Sequence, residues 1–126
     1  MKEKEPIGVM PALVTPLDER GNLNKATLRK MICDRKKEGA DGFYLAGATG
    51  EGILLSEATR QELFDTAIEE IGDEGLKICH IADMNFDTAK RLARWQALWA
   101  ELTPKSPKAP QPWYLSRLAS TARRFA

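Results

Sequence analysis

Cysteine, histidine and long apolar runs are scarce in this chain of 126 residues. Its two cysteines, Cys33 and Cys79, and its one histidine, His80, are too few for a disulfide framework and have no spacing typical of a metal site. We expect two reduced thiols and a cytoplasmic location. No apolar run approaches the ~18 residues of a membrane span. No apolar segment follows the charged residues 1–5 either, so no signal peptide is predicted.

Acidic residues are missing from the end of the chain. Residues 103–126 carry five Lys or Arg and no Asp or Glu, whereas residues 1–102 carry 14 basic and 18 acidic residues, a net charge of −4. A P-loop and a G-x-G-x-x-G motif are also absent, which argues against a nucleotide site, and no cofactor is predicted. With 43% hydrophobic and 29% charged residues, the composition is that of a soluble globular protein of one domain at most.

Three apolar runs predict strands, at residues 7–15, 42–46 and 76–81. Near-continuous hydrophobicity suits strands that are buried on both faces of a parallel sheet. Pro11 is unexpected inside the first run, because proline cannot donate to a strand ladder.

Helical patterns follow each of the three runs. The N-caps are predicted at Asn24, Ser56 and Asp87, and Gly39 is expected to end the first helix. The apolar stripes comprise Leu28, Met31 and Ile32, then Leu63, Phe64, Ala67, Ile68 and Ile71, then Ala89, Leu92, Ala93 and Ala97. The order β-α-β-α-β-α predicts an α/β fold with parallel crossovers. Either a (β/α)8 barrel or a doubly wound sheet fits this pattern.

A glycine-rich loop, Gly47-Ala48-Thr49-Gly50-Glu51, follows the second predicted strand. Its glycines permit positive φ and a close approach of backbone to a ligand. The Thr49 hydroxyl and the loop N–H groups are suited to a carboxylate or a phosphate. In both candidate folds, ligands bind at the carboxyl ends of the strands, where Thr15, this loop and residues 82–85 are expected to lie.

Three stretches have a family-specific order and spacing: Gly8–Asp18 (GVMPALVTPLD), Gly42–Gly52 (GFYLAGATGEG), and His80–Asn85 (HIADMN) running into Ala89–Ala93 (AKRLA). Together they resemble the first three βα units of the N-acetylneuraminate lyase / dihydrodipicolinate synthase family of pyruvate-dependent class I aldolases. The resemblance covers about residues 7 to 94 and accounts for Pro11. It implies a partial (β/α)8 TIM barrel of about three βα units, followed by an irregular Pro-rich basic tail.

The resemblance also implies a ligand. In the family, the loop after the second strand binds the carboxylate of pyruvate through hydroxyl and backbone N–H groups, which corresponds here to Ala48, Thr49 and Gly50. Ala48 stands where many members carry Ser or Thr. The lost hydrogen bond is worth ~1.5–3 kcal/mol, so binding is expected to be roughly tenfold or more weaker. His80 resembles the lyase branch, and Asp83 replaces a small residue and brings a negative charge near the anion site.

The family's Schiff-base lysine lies on the sixth strand and its catalytic tyrosine near the end of the fourth or fifth, outside the matched stretch. The lysines of this chain lie in polar surface runs, at a strand start (Lys77) or in the tail. Neither Tyr44 nor Tyr114 corresponds to the family tyrosine. No catalytic residue is therefore assigned. We expect a truncated lyase or aldolase that is inactive alone.

Two single residues have competing interpretations. Glu51 is either an acid/base group or, as we predict, a cap at the start of a helical turn. His80 is either a catalytic base or, as we predict, a hydrogen-bonded core histidine.

The chain changes character after about Arg94, so we predict residues 1–94 as the family portion and 95–126 as a tail outside it. All three tryptophans lie in the last 32 residues, and four prolines between 104 and 112 predict a linker. Residues 116–125 are expected to form a short basic helix. Three interpretations of this change are left open: a reading-frame change near codon 95, an evolved extension, and a basic-aromatic patch for nucleic acid. The patch has the least support and would comprise Trp113, Tyr114, Arg117, Arg123 and Arg124.

Three βα units leave a sheet unclosed, and an open edge is a template for pairing with another chain. We therefore expect self-association. The alternative to an aldolase fragment is a non-catalytic module that binds a partner through the open sheet edge or the basic tail.

Overall fold

The structure is a computed structural model that describes residues 8–73 and 75–102. Within these residues the elements are, in chain order, α1 (Lys25–Lys37), β1 (Gly42–Leu45), a short 3-10 turn (Gly52–Leu54), α2 (Glu57–Ile71), β2 (Leu76–Cys79) and α3 (Phe86–Leu102). The predicted linker, the basic helix and the basic-aromatic patch of the tail lie outside the described residues.

β1 and β2 pair in parallel, with Gly42 opposite Leu76 and Leu45 opposite Cys79. The chain crosses from β1 to β2 through α2. Along β1, Phe43 and Leu45 are buried while Tyr44 between them is only half-buried, since successive side chains point to opposite faces of a sheet. One face of the pair therefore packs on the helices, and Tyr44 marks the other face.

The prediction of a strand at residues 7–15 is wrong. This segment pairs with β1 only through an isolated parallel bridge between Ala12 and Tyr44. The N–H of Tyr44 donates to the Pro11 carbonyl at 3.0 Å, and the N–H of Leu13 donates to the Tyr44 carbonyl at 3.1 Å. Pro11 thus contributes only its acceptor, which is all that proline offers to a ladder. The segment still runs parallel to β1 and occupies the edge of β1 that β2 leaves free.

The helix starts follow the predicted caps in two of three cases. Asn24 Oδ1 accepts from the Thr27 N–H at 3.0 Å, and Ser56 Oγ accepts from the Thr59 N–H at 3.1 Å. The prediction of Asp87 as the third cap is wrong. Asn85 Oδ1 instead accepts from the N–H groups of residues 87 and 88, at 2.9 and 3.3 Å. The cap lies two residues earlier because an Asn side chain matches this geometry equally well.

The predicted apolar stripes of α1 and α2 pack into one core, with Met31 and Ile68 partly buried at its edge. Of the predicted α3 stripe, Leu92 is in the core, whereas the alanines at 89, 93 and 97 are half-buried. The fully buried members of the core include Leu28 and Ile32 of α1, Phe43 and Leu45 of β1, Leu63, Phe64 and Ile71 of α2, and Leu92 of α3. Gly39 follows the end of α1 with φ of +96°, the left-handed conformation that terminates helices. In the described part of the chain, no helix has the length and apolar character that a membrane crossing requires.

α3 continues past residue 94 and remains attached to the fold. Trp95 Nε1 donates to Asp65 Oδ1 of α2 at 2.9 Å. Gln96, which is buried, donates from Nε2 to the Cys79 carbonyl at 3.4 Å. Side chains just past residue 94 therefore contact α2 and β2.

Candidate carboxylate-binding site

The glycine-rich loop lies at the carboxyl end of β1, next to the first segment. Thr15 Oγ1 donates to the Gly50 carbonyl at 2.7 Å, which brings Thr15 and the loop together, as predicted. Inside the loop, the Glu51 N–H donates to the Ala48 carbonyl and the Gly52 N–H to the Gly47 carbonyl, both at 3.1 Å. These bonds close the loop into a compact turn.

The glycines of this loop are needed for close approach rather than for positive φ, so the conformational reason given from sequence is wrong. The positive φ values belong to Ala46 (54°) and Glu51 (53°), both strained for residues with a Cβ. A Cβ on Gly50 would lie 2.9 Å from the Leu13 carbonyl oxygen, and one on Gly52 would collide with the Ala46 carbonyl. The backbone is thus folded tightly on itself beneath the loop.

The three residues assigned to the substrate, Ala48, Thr49 and Gly50, are consecutive in this turn. Ala48 and Thr49 are exposed and Gly50 is buried. Within residues 8–73 and 75–102, no acceptor pairs with their N–H groups, and the Thr49 hydroxyl has no partner. Unpaired donors on a turn at a strand end are a suitable arrangement for an anion.

Glu51 is the N-cap residue of the 3-10 turn, so its predicted position as a cap is confirmed, but the expected role of its carboxylate is wrong. Its side chain is exposed and makes no capping hydrogen bond. The Glu51 carbonyl accepts from the Leu54 N–H at 2.9 Å instead. The left-handed backbone of Glu51 starts the 3-10 turn, so the residue's contribution comes from its main chain.

His80 follows β2 and lies beside Tyr44, with ring centroids 6.2 Å apart and planes inclined by 40°. The His80 side chain is half-buried. Its Nδ1 is buried and has no hydrogen-bond partner among the described residues. The prediction of a hydrogen-bonded core histidine is therefore wrong at this atom.

Arg60 of α2 is a residue of this region that the sequence did not single out. Its side chain is fully buried. Nη1 donates to Asp83 Oδ2 at 3.1 Å, and Nη2 donates to the carbonyls of His80 at 2.8 Å and Ala82 at 2.9 Å. The available signal was its spacing, three and four residues before Leu63 and Phe64 on the buried stripe of α2.

The Arg60 guanidinium changes the electrostatics expected of Asp83. An ion pair forms between the two side chains, and the Asp83 side chain is 18% exposed. The predicted negative charge near the anion site is therefore paired with a buried cation. Desolvation lowers the pKa of Arg60, while the charge of Asp83 raises it. An arginine stays protonated under such shifts.

Asp83 also connects this ion pair to the start of α3. Its Oδ1 accepts from the Asn85 N–H at 2.7 Å, and the Asn85 side chain caps α3. The loop after β2 is thus held from α2 on one side and by the cap of α3 on the other.

Lys77 is the buried lysine of the described part and lies near the amino end of β2, away from the glycine-rich loop. Its Nζ donates to the Gly72 carbonyl and, at 3.1 Å, to the Gly75 carbonyl. Burial lowers its pKa. On the same face, burial raises the pKa of Cys79 to about 12. Both side chains point towards the helices, because they alternate with half-buried Ile78.

Among residues 8–73 and 75–102, no cluster of three His, Cys, Asp or Glu side chains is arranged to hold a metal ion. The site consists of a turn with unpaired donors, a Tyr–His ring pair on the adjacent sheet face, and a buried Arg–Asp pair beneath the next loop.

A model of the dihydrodipicolinate synthetase family matches residues 5–97. The chain belongs to this family. N-acetylneuraminate lyase from Citrobacter koseri is 34% identical over 86 residues, which are 68% of this chain and 29% of that protein. The same figures hold for N-acetylneuraminate lyase of Escherichia coli strain SE11. The chain thus spans less than a third of the length of the curated relatives it matches.

Solved structures of the family resemble the described fold. N-acetylneuraminate lyase from Mycoplasma synoviae aligns with a TM-score of 0.68 and 32% identity, over 72% of this chain and 32% of that one. Wild-type sialic acid aldolase from Ruminococcus gnavus aligns with a TM-score of 0.68 and 27% identity, over 71% and 30% of the respective chains. The three helices and two parallel strands of the described residues match these TIM-barrel aldolases.

Proposed function

We propose that this chain binds the carboxylate of pyruvate or a related 2-oxo acid through Ala48, Thr49 and Gly50. It supplies this subsite of a pyruvate-dependent lyase or aldolase of the N-acetylneuraminate lyase or dihydrodipicolinate synthase type. That reaction cleaves or forms a C–C bond through a Schiff base. The observation that carries the proposal is the turn at residues 48–50, whose N–H groups and Thr49 hydroxyl have no partner within the described residues.

The carboxylate is the part of the substrate that this turn is suited to bind. Hydrogen bonds to a charged acceptor contribute about 1.5–3 kcal/mol. The Thr15 bond to Gly50 fixes the turn before a ligand arrives, which reduces the ordering cost of binding. Ala48 offers only its N–H, so we expect weak binding compared with a turn that has two hydroxyl residues.

Among residues 8–102 we assign no lysine as the nucleophile that forms a Schiff base. A Schiff-base lysine needs a neutral amine that faces the substrate. Lys77 has the lowered pKa but donates to the carbonyls of Gly72 and Gly75 at the other end of its strand. We therefore propose that the 126-residue chain alone binds 2-oxo acids without forming a covalent adduct, and that it functions in a reducing, cytoplasmic compartment, since both cysteines are free thiols.

The binding test is a titration of the isotope-labelled chain with pyruvate, followed by NMR at the amides of Thr49 and Gly50. The matched variants are Thr49→Val, which keeps the shape and removes the hydroxyl, and Ala48→Ser, which adds one. We expect Thr49→Val to weaken binding about tenfold or more and Ala48→Ser to strengthen it. Amide signals that do not respond to millimolar pyruvate would contradict the proposal.

The covalent test is borohydride reduction in the presence of pyruvate, with mass spectrometry of the intact chain. We expect no adduct on the chain alone. A stoichiometric adduct on any lysine would show that the chain carries its own nucleophile, and the non-catalytic part of the proposal would be wrong.

A second candidate function is a non-catalytic module that binds a partner or a second copy of itself. The observation that favours it is the exposure of large apolar side chains on the loops at the carboxyl edge, with Leu54 at 78% and Met84 at 90%. Clusters of exposed apolar side chains mark interaction surfaces. The test is whether the chain forms a stoichiometric complex with a full-length family member. This candidate is favoured if the complex forms, if the double variant Leu54→Glu with Met84→Glu abolishes it, and if pyruvate does not shift the loop amides.

A further inference from the structure

We propose that the outer edge of residues 8–14 pairs with the same edge of a second copy of this chain, as two antiparallel strands related by a two-fold axis. The pairing rests on the second candidate function only in naming a second copy as the partner. It uses neither Leu54 nor Met84, and it is independent of pyruvate binding.

Residues 8–14 are held along β1 by bonds near both ends. The Val9 N–H donates to Asp41 Oδ2 at 2.8 Å, and the Val9 carbonyl accepts from the Asp41 N–H at 2.9 Å. Further along, the Leu13 N–H donates to the Tyr44 carbonyl at 3.1 Å. An edge that is already extended and fixed pays less ordering entropy when a partner binds.

The main-chain groups of Met10 and Ala12 form the outer edge. The Pro11 carbonyl and the Leu13 N–H bond to β1. Since alternate residues of an extended segment address opposite neighbours, the groups of Met10 and Ala12 point away from β1. Among residues 8–73 and 75–102 these groups have no hydrogen-bond partner. Ala12 is exposed and Val14 is 52% exposed, so the edge is open to another strand.

The opposite edge of the sheet, on β2, is less accessible. The Leu76 N–H donates to the residue before β1, so alternation places the main-chain groups of Lys77 and Cys79 on the outer edge of β2. Both residues are buried, with 8% and 4% exposed, and the Cys79 carbonyl accepts from Gln96 Nε2 at 3.4 Å. Two copies therefore have the edge of residues 8–14 to offer each other. A contact between identical edges has a two-fold axis, which makes the strands antiparallel.

Pro11 is compatible with one antiparallel register. When Met10 lies opposite Ala12 of the second copy, the two residues exchange both of their N–H to carbonyl bonds, and the axis repeats the exchange. Pro11 then faces Pro11 of the second copy in the non-hydrogen-bonded pair between them. Proline is excluded from central strands because it lacks an N–H, and at this position no N–H is needed.

The side chains of this segment do not oppose pairing. Residues 8–17 include no charged residue, whereas exposed edge strands commonly carry charges that prevent pairing with another chain. Val9 and Val14 are 67% and 52% exposed, so pairing also removes apolar surface from water. One strand pair is small beside the roughly 1,200 Å² of a stable interface. We therefore expect a weak dimer that forms with rising concentration.

The first test is sedimentation equilibrium of the full chain over a wide concentration range, with hydrogen exchange of the Met10 and Ala12 amides. We expect a monomer–dimer equilibrium in which both amides become protected as the dimer forms. Ala12→Pro removes an outward N–H that has no partner within the described residues. It should weaken dimerisation about tenfold or more, because the axis doubles the loss of one hydrogen bond. Ala12→Ser keeps the N–H and is the matched control.

The second test checks the register by disulfide formation with oxidised glutathione, in a Cys33→Ser background that leaves only buried Cys79. Residues in a non-hydrogen-bonded pair have Cα atoms about 4.5 Å apart, within reach of a disulfide. We expect Pro11→Cys to cross-link two copies, and Ala12→Cys, which faces residue 10 instead of itself, to cross-link far less. The wild-type sedimentation and exchange data do not depend on whether a variant folds.

Three outcomes would overturn the two-fold pairing. The first is a chain that stays monomeric at millimolar concentration; a pyruvate response of the Gly50 amide in that monomer would leave the proposed function standing. The second is oligomers that keep growing with concentration, because head-to-tail pairing with β2 does not close. The third is a dimer that survives Ala12→Pro or that dissociates in the double variant Leu54→Glu with Met84→Glu, which would place the contact on the loops at the carboxyl edge.

Discussion

Replacing Arg60 should destabilise the chain far more than replacing an arginine with similar contacts on the surface. In Arg60→Met the volume and the long unbranched side chain are roughly kept, but Asp83 loses its cation and the carbonyls of His80 and Ala82 lose their donor. Removing one partner of a buried ion pair costs about 3–5 kcal/mol. Two features of the structure reduce this figure for Arg60.

The first feature is the exposure of the Asp83 side chain, 18%, which lets water partly solvate the abandoned carboxylate. The second is Arg60 Nε, which is buried without a partner among the described residues. Methionine removes this unpaired donor, whose burial costs about 1–3 kcal/mol. We therefore expect Arg60→Met to lower the free energy of unfolding by about 2–4 kcal/mol.

The assay is urea unfolding followed by tryptophan fluorescence, with the midpoint and slope fitted for each variant. For a slope of about 1–2 kcal/mol per molar urea, the midpoint should fall by about 1–4 M. Arg91→Met is the matched control. Arg91 makes three hydrogen bonds to Glu57, but its side chain is 52% exposed, and exposed pairs contribute little to stability.

The comparison with Arg91→Met can also refute the argument that burial makes the Arg60 ion pair important. Should the two variants unfold at the same midpoint, burial of the Arg60 pair would not be what makes it important. The double variant Arg60→Met with Asp83→Asn is expected to recover part of the loss, because it removes the unpaired carboxylate. No recovery would mean that the carbonyl contacts, rather than the ion pair, account for the effect.

Three further predictions concern other parts of the fold. Cys33, which is half-buried, should react with a thiol reagent in the native state, whereas Cys79, with its pKa raised to about 12 by burial, should react only as the chain unfolds; equal rates in pulse labelling would contradict this. The pKa of Lys77 is lowered from 10.5 by burial. Because the unfolded state then binds more protons between the two pKa values, stability should rise with pH towards 10.5 in the wild type relative to Lys77→Met; parallel pH profiles from urea unfolding would refute the sign. Gly50→Ala brings a Cβ within 2.9 Å of the Leu13 carbonyl oxygen and should abolish the pyruvate response of the loop amides; an unchanged titration would show that the turn tolerates the methyl group.

Local signals in the sequence were sufficient for the helices and for two of the strands. Asn24 and Ser56 cap their helices because their side chains reach N–H groups only three residues away. The third helix has two candidate caps, Asn85 and Asp87, and local propensity does not choose between them. The first segment has strand composition, but Pro11 limits its pairing to the carbonyl side. Hydrophobicity alone does not reveal this limit.

The surroundings of the glycine-rich loop depend on contacts between distant residues, so the loop itself could be predicted from the sequence but its surroundings could not. Arg60 has a charged side chain on an apolar stripe, and its buried position makes sense only once residues 80–83 lie beside it. The sequence suggests positive φ for the glycines of the loop, yet Gly50 is required for its close approach to Leu13, 37 positions earlier in the chain. The same contacts give the resemblance a physical basis. The turn at residues 48–50, the Tyr44–His80 ring pair and the loop that Arg60 contacts lie at one edge because the parallel strands β1 and β2 end there.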